Sequence, residues 1–188
     1  MTAKDELRRQ AIARRAELHA AQPQAGAELV QRLLEILMPV RGIKIAGYMT
    51  LGDELDCGPT LSALHALGAQ LSLPVAIAPE HELHFRTWEP GTALEGGLFG
   101  TQHPLSSAPL VEPDILLVPL VAFDATGHRL GYGAGFYDRT LAALRGRRDV
   151  LAIGLAYDGQ EVPVITADES DQRLNAVVTE SRVIAFDQ

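Results

Sequence analysis

The sequence predicts an α/β fold: a three-layer, open and largely parallel sheet flanked by helices, with a glycine-rich phosphate loop before one helix. Three observations predict it. Segments of helical and of strand character alternate along the chain. The apolar run Ile115 to Phe123 is of the kind found in a strand covered on both faces. Gly131, Gly133 and Gly135 follow that run and immediately precede an amphipathic segment. Strand, glycine loop and helix start in that order make a backbone anion site, because free N–H groups at a helix N-terminus can cradle phosphate.

Taken in order, the chain opens with a helix near residues 3 to 20 and a second near 24 to 38, which Pro39 terminates. A strand is expected at Ile43 to Met49, a helix at Leu61 to Leu67 stopped by Gly68, a strand at Leu71 to Ala78 and a short one at Leu83 to Trp88. The long apolar strand comes next, then a turn at Ala125 to His128 and the glycine loop. Phe136, Tyr137, Asp138 and Arg139 open a helix that carries Leu141 and Leu144 and reaches about Arg145. A strand at Val150 to Ala156 and two more at Ala176 to Thr179 and Val183 to Phe186 complete the chain. No internal repeat, low-complexity tract or long linker divides it, so residues 1–188 are expected to form a single domain.

Composition bounds the function. A chain that is 47% hydrophobic and 21% charged is expected to be an ordinary soluble domain with a real core. The longest apolar run is far too short to span a membrane, and the charged N-terminus lacks the apolar core of a signal peptide, so a cytoplasmic location with no membrane partner is expected. Cys57 is the single cysteine, which excludes an internal disulfide and a cysteine-based zinc site and leaves a structural thiol. The net charge of −8 argues against a nucleic-acid partner, which would need a basic field. It leaves room for one triphosphate, which a few well-placed cations can hold. No obligate protein partner is implied.

Several residues are candidates for chemistry, each with a plainer alternative. The three glycines alone serve equally well to let a helix pack closely on a sheet. Their spacing fits neither a dinucleotide fingerprint nor a Walker A loop. Asp138 favours the ligand reading, because a carboxylate in the first helical turn beside bound phosphate would repel it unless a cation lay between them, and magnesium is the natural bridge. Lys4, Arg8 and Arg15 fall within about 40° of one another around a helix, so one face can present three positive charges; a solvated basic face is the alternative. Asp53, Glu54 and Asp56 follow a strand, where carboxylates also serve as helix caps. Phe99 and Phe136 offer flat apolar surface, although single aromatics are more often core, and Trp88 is read as core or pocket wall. His19, His65, His81 and His84 are read as surface or core residues and His128 as a turn residue.

The segment from Pro119 to Asp138 resembles the 5-formyltetrahydrofolate cyclo-ligases, also called 5,10-methenyltetrahydrofolate synthetases. Pro119, Phe123, Asp124, Gly127, Arg129, Leu130, Gly131, Gly133, Gly135, Phe136, Tyr137 and Asp138 reproduce the order of that family's long motif without a gap. The likeness extends over nearly the whole chain: Lys4, Leu7, Arg8, Arg15 and Leu18 match the opening helix. Tyr48 and Glu54-Leu55-Asp56, Leu73-Pro74, Phe99-Gly100 with Pro104, and Asp171 with Val178-Thr179-Glu180 match later segments. Three departures stand out: His103 where many members carry glutamate, Ser170 in place of a frequent histidine, and Ala134 in place of a frequent glycine. They bear on folate contacts rather than on the reaction class.

The resemblance implies ATP-dependent cyclisation of 5-formyltetrahydrofolate, with or without a polyglutamate tail, to 5,10-methenyltetrahydrofolate, with ATP as co-substrate and Mg2+ as cofactor. It implies that Lys4 and Arg8 hold the triphosphate and, with Asp138, form the catalytic set. Arg129, Gly131, Tyr132, Gly133, Ala134, Gly135, Tyr137 and Asp138 would complete the ATP site. Glu54, Phe99 and Phe136 would meet the folate, and Asp138 with Asp171 would hold the metal. Arg145, Arg147 and Arg148 are either contacts for a glutamate tail or a solvated helix end. Two other readings stay open: a different α/β enzyme using the loop for another phosphate, and a binding protein that has lost turnover.

Overall fold

The computed structural model describes residues 2–187. Its helices are α1 (Ala3–Ala21), α2 (Ala25–Leu37), α3 (Gly58–Ala66) and α4 (Phe136–Arg145). The strands are β1 (Lys44–Ala46), β2 (Gln70–Val75), β3 (His84–Thr87), β4 (Leu94–Gly96), β5 (Gln102–Pro104) and β6 (Ile115–Pro119). They continue with β7 (Ala122–Phe123), β8 (Arg129–Leu130), β9 (Leu151–Leu155), β10 (Ala176–Val178) and β11 (Val183–Ala185). Seven of them form one sheet in the order β11-β10-β9-β6-β1-β2-β3. The pairings from β10 through β9, β6 and β1 to β2 are parallel, and β3 and β11 close the two edges antiparallel.

Side chains alternate across a strand, so a central strand with helices on both faces must be apolar at every position. β6 shows this directly: Leu117 joins Leu29, Leu33 and Leu61 of α2 and α3 on one face, while Leu116 and Val118 join Leu141 and Leu144 of α4 on the other. These two clusters make the three layers. Leu141 is fully buried, so truncation to alanine should cost about 2–5 kcal/mol. Cys57 is buried in the first cluster, and burial pushes its thiol up to about 12, consistent with a structural thiol. Trp88 packs against the same cluster and does not reach the main cavity.

Three expectations need correction. The apolar run does not stay in one strand: Pro119 has no N–H to continue the ladder, the chain leaves the sheet, and Ala122–Phe123 instead pairs with Arg129–Leu130 in a separate hairpin. The strands expected at Ile43 to Met49 and Leu71 to Ala78 stop at Ala46 and Val75, because the chain turns there into the loops that form the cavity wall. A hairpin of β4 and β5 was not expected at all.

The β7–β8 hairpin is held by one carboxylate. Asp124 Oδ1 accepts from Thr126 N at 2.9 Å, Thr126 Oγ1 at 2.6 Å and His128 N at 3.2 Å, while Oδ2 accepts from Ile165 N at 2.9 Å. Burial alone would raise its pKa, but these hydrogen bonds together outweigh burial and hold it below the ordinary carboxylate value.

Candidate active site

From β1 the chain runs outward through β2 and β3 and then returns to β6 on the opposite side of β1. That reversal creates a crevice beyond the carboxyl ends of β1 and β6, where open α/β sheets gather ligands. A cavity of ≈ 1060 Å³ lies there. Its walls are the segment after β1, the glycine loop and first turn of α4, Lys4 and Arg8 of α1, Phe99 from the β4–β5 hairpin, and residues 168–172. All fourteen sequence-predicted site residues line it: Lys4, Arg8, Glu54, Phe99, Arg129, Gly131, Tyr132, Gly133, Ala134, Gly135, Phe136, Tyr137, Asp138 and Asp171.

The loop is built by backbone conformation. Gly133 (φ +100°) and Gly135 (φ +68°) lie in the left-handed region that glycine alone enters without strain, whereas Ala134 does not and tolerates its methyl. Gly131 is different. Its φ is ordinary, and a methyl group there would meet no atom within 4 Å, so nothing in the fold itself requires glycine. Gly135 is the N-cap of α4 and brings no side-chain cap, which leaves the first-turn N–H groups without a side-chain acceptor among the described residues.

Cations and carboxylates frame this loop. The capping box of Thr2 and Asp5 starts α1 so that Lys4 and Arg8 reach the cavity. Arg8 Nε donates to Gly131 O at 2.9 Å, and its NH1 to Asp5 Oδ1 at 3.0 Å. Lys4 Nζ donates to Asp171 Oδ2 at 2.8 Å and lies 3.5 Å from Asp168 Oδ2. The Asp171 hydrogen bond raises the Lys4 pKa, so the ammonium is charged throughout the neutral range. Arg129 NH2 donates to Asp138 Oδ1 at 2.8 Å, and Gln172 N donates to the same oxygen at 3.0 Å.

In the segment after β1, Glu54 is 4% exposed and accepts from Leu51 N at 2.9 Å through Oε2. Burial raises its pKa above the ordinary glutamate value, with the Leu51 hydrogen bond and then Arg15 acting against that rise. Phe99 is 68% exposed and stands edge-on to Phe136 with ring centroids 5.9 Å apart. The pair leaves apolar surface open to the cavity. Asp56 takes the plainer role open to it in the sequence, accepting from Gly58 N at 2.9 Å to cap α3.

Arg15 does not join Lys4 and Arg8 on an exposed basic face. It is 1% exposed, and its NH1 donates to Leu120 O at 3.2 Å. Its NH2 donates to Asp53 Oδ1 at 2.6 Å and to the Tyr132 hydroxyl, and the guanidinium lies 5.2 Å from the Tyr132 ring centre. It therefore ties α1, the end of β6, the loop after β1 and the glycine loop together behind the cavity wall. Helical spacing gave the shared direction but not the burial, because the groups that enclose Arg15 come from distant parts of the chain. Arg147 and Arg148 do not reach the cavity either; they pair with Glu112 and Asp114, and Arg145 donates to Gln172 and Asn175 side chains. His103 turns away from the cavity, its Nδ1 donating to Pro104 O at 2.9 Å.

The donor set also suits a hard divalent cation. Asp138 and Asp171 each commit one oxygen to hydrogen bonds, leaving Asp138 Oδ2 and Asp171 Oδ1 without a hydrogen bond among the described residues. No cluster of three or more His, Cys, Asp or Glu side chains that could enclose a metal occurs among the described residues. Two carboxylates without such a cage are the donor set that magnesium uses when phosphate oxygens and water complete its octahedron.

The model of the 5-formyltetrahydrofolate cyclo-ligase family matches residues 1–180. The chain belongs to this family. It is 35% identical over 164 residues to the 5-formyltetrahydrofolate cyclo-ligase of Haemophilus influenzae, covering 84% of this chain and 87% of that protein. With the 5-formyltetrahydrofolate cyclo-ligase of Escherichia coli K12 it shares 34% identity over 176 residues, covering 90% and 96%. The solved 5,10-methenyltetrahydrofolate synthetase of Aquifex aeolicus superposes with a TM-score of 0.82 at 27% identity, over 100% of this chain and 94% of that one. Within this cyclo-ligase fold the sequence-predicted residues converge on one crevice. Arg139, Gln172 and Asp168 join them at the wall without having been singled out beforehand. Gln172 contributes through its backbone N–H, which no side-chain pattern signals.

Proposed function

We propose that this chain catalyses the ATP- and magnesium-dependent cyclisation of 5-formyltetrahydrofolate to 5,10-methenyltetrahydrofolate, releasing ADP and phosphate. The observation that carries this reading is the convergence of Lys4, Arg8, the 131–135 loop, Asp138, Asp171 and Glu54 on a single cavity at the switch point of a cyclo-ligase-family fold.

The chemistry makes modest demands on the protein. A formyl oxygen is a poor leaving group, so it first attacks the γ-phosphorus as ADP leaves, giving an iminium phosphate. The N10 lone pair then attacks the formyl carbon, the C–O bond breaks with departure of phosphate, and the N10 proton passes to solvent. Positioning and charge neutralisation account for most of the catalysis in such a scheme. Lys4 and Arg8 hold the triphosphate, the loop and the first turn of α4 supply N–H donors, and Arg129 and Tyr137 orient the nucleotide. Asp138 and Asp171 would hold magnesium, which when bound supplies neutralisation of the charge on the transferring phosphoryl group. Glu54 receives the polar edge of the pterin while Phe99 and Phe136 offer apolar surface to the aromatic part of the folate.

Release of ADP that requires 5-formyltetrahydrofolate, measured with purified protein, tests this reading. ADP release that does not depend on the folate would contradict it.

A further inference from the structure

Four cationic side chains line the cavity, and three of them already have a carboxylate partner. Lys4 has Asp171, Arg8 has Asp5 and Arg129 has Asp138. Arg139 is the exception. No carboxylate lies within ion-pairing distance of it among the described residues; its NH2 donates to Ala134 O at 2.8 Å and its Nε is 3.3 Å from His81 O. Both acceptors are neutral carbonyls, and a guanidinium has five N–H groups, so a planar fork remains available for an anion.

Its place in the cavity says which end of a ligand it would meet. On α4, residues 136 and 139 are one turn apart and share a face, whereas residue 138 points about 100° away from 139. Accordingly the Arg139 guanidinium lies 5.3 Å from the Phe136 ring centre, and Phe136 in turn meets Phe99. Asp138 instead points toward Arg129 and Gln172, with Asp171 close by in the chain. The two groups share no hydrogen-bonding partner. One side of the first turn of α4 thus carries an acid-and-cation cluster suited to metal and phosphate, and the side next to it an aromatic pair beside an arginine that has no carboxylate partner among the described residues and is tied to the glycine loop through Ala134 O.

We propose that Arg139 is a specificity-determining residue that binds a carboxylate of the glutamate tail of the folate. This rests on the reading given under Proposed function, which makes a tetrahydrofolate the substrate. Such a molecule runs from pterin through a p-aminobenzoyl ring to glutamate, so an aromatic pair that flanks the p-aminobenzoyl ring would set the arginine beside it against a glutamate carboxylate. Bidentate carboxylate recognition by arginine is geometrically specific, and a guanidinium stacked on Phe136 is pre-organised to provide it.

The test compares 5-formyltetrahydrofolate with 5-formyltetrahydropteroate, which lacks the glutamate, in the unaltered enzyme and in Arg139→Gln and Arg139→Lys. The unaltered enzyme should show a lower KM for the glutamate-bearing substrate. Arg139→Gln should raise that KM by about ten- to hundredfold, as expected for loss of a charged hydrogen-bonded pair, and leave kcat and the KM for the pteroate nearly unchanged; because Arg139 also donates to Ala134 O of the glycine loop, the KM for ATP should rise far less than that for the folate. Arg139→Lys should recover part of the loss. An equal rise for both folates would show a structural role and overturn the proposal, and a rise in the KM for ATP as large as that for the folate would overturn it by moving Arg139 to the nucleotide. If the unaltered enzyme turned over neither folate, the reading of its reaction would fail instead, and binding of the two folates to the unaltered protein and to Arg139→Gln would still decide the role of the arginine.

Discussion

The carboxylate of Asp138 accepts a 2.8 Å hydrogen bond from the Arg129 guanidinium, whose side chain is 5% exposed. Arg129 precedes the glycine loop and Asp138 follows it, so this pair clips the two ends of the loop together. The loop is thereby shaped before any nucleotide arrives, and such preorganisation is what electrostatic catalysis requires.

Asp138→Asn keeps an acceptor oxygen but leaves the buried Arg129 without its counter-charge. Stability should fall by about 1–3 kcal/mol while the fold is retained. Turnover should fall further, by about 100-fold or more, if the carboxylate holds charge at the transferring phosphoryl group. Thermal melting and kcat measured on the same preparation check both effects; unchanged turnover at saturating folate would remove Asp138 from the mechanism.

Gly131 and Gly133 separate fold from function. Gly131→Ala should leave Tm unchanged, since its φ is ordinary and the added methyl meets nothing within 4 Å, yet it should raise the KM for ATP because the backbone can no longer approach phosphate closely. Gly133→Ala forces φ +100° on an L-residue and should lose about 1–2 kcal/mol of stability as well. A fully active Gly131→Ala enzyme would mean that phosphate does not approach at that residue.

Asp124→Asn tests the hairpin clamp. A carboxylate whose folded pKa lies below its unfolded value contributes stability above the unfolded value and loses it as pH falls through the folded one. The variant should therefore be less stable than the unaltered protein at pH 7, and the gap should close as the pH drops below the ordinary aspartate range near 3.8. Chemical denaturation across that range reads the difference, and a gap that widened toward low pH would contradict the assignment.

Glu54 has the opposite sign. Burial raises its pKa, so ionisation favours the unfolded chain, and stability is lost as the pH rises from the ordinary glutamate value near 4.5 through the raised one. Glu54→Gln should melt higher than the unaltered protein at pH 7, lose that advantage at acid pH, and bind folate more weakly. A lower Tm at pH 7 would show that Leu51 N, Arg15 and Tyr132 together hold the charged form more strongly than burial opposes it.

Arg15→Met removes three hydrogen bonds from a fully buried guanidinium and strands Asp53. It should cost about 2–4 kcal/mol in urea denaturation and raise KM for both substrates, because the loop after β1 and Tyr132 lose a common anchor.

The parts of this molecule that were legible in the sequence are those where local pattern and tertiary role coincide. β6 is apolar at each step because both of its faces are covered, and α4 begins where the glycines end because its N-cap is left-handed. The β4–β5 hairpin gave no such signal: Leu94-Glu95-Gly96 and Gln102-His103-Pro104 are short, half-exposed and without alternation. At the site, Lys4, Arg8, Asp138 and Asp171 were found through the family motif. The settings of Arg15 and Arg139 are not resolved by it, since they depend on distant parts of the chain: Asp53 and Tyr132 surround one, and the other has neutral carbonyls and no carboxylate partner among the described residues.

The most direct test of the assigned reaction is absorbance of the methenyl product during incubation of purified protein with 5-formyltetrahydrofolate and magnesium, with ATP present and then omitted. Product should form only with ATP, with one ADP released for each methenyl group formed. Binding of the folate without product would contradict catalysis and point to a silent binder, and neither binding nor product would mean that this cavity serves another phosphate substrate.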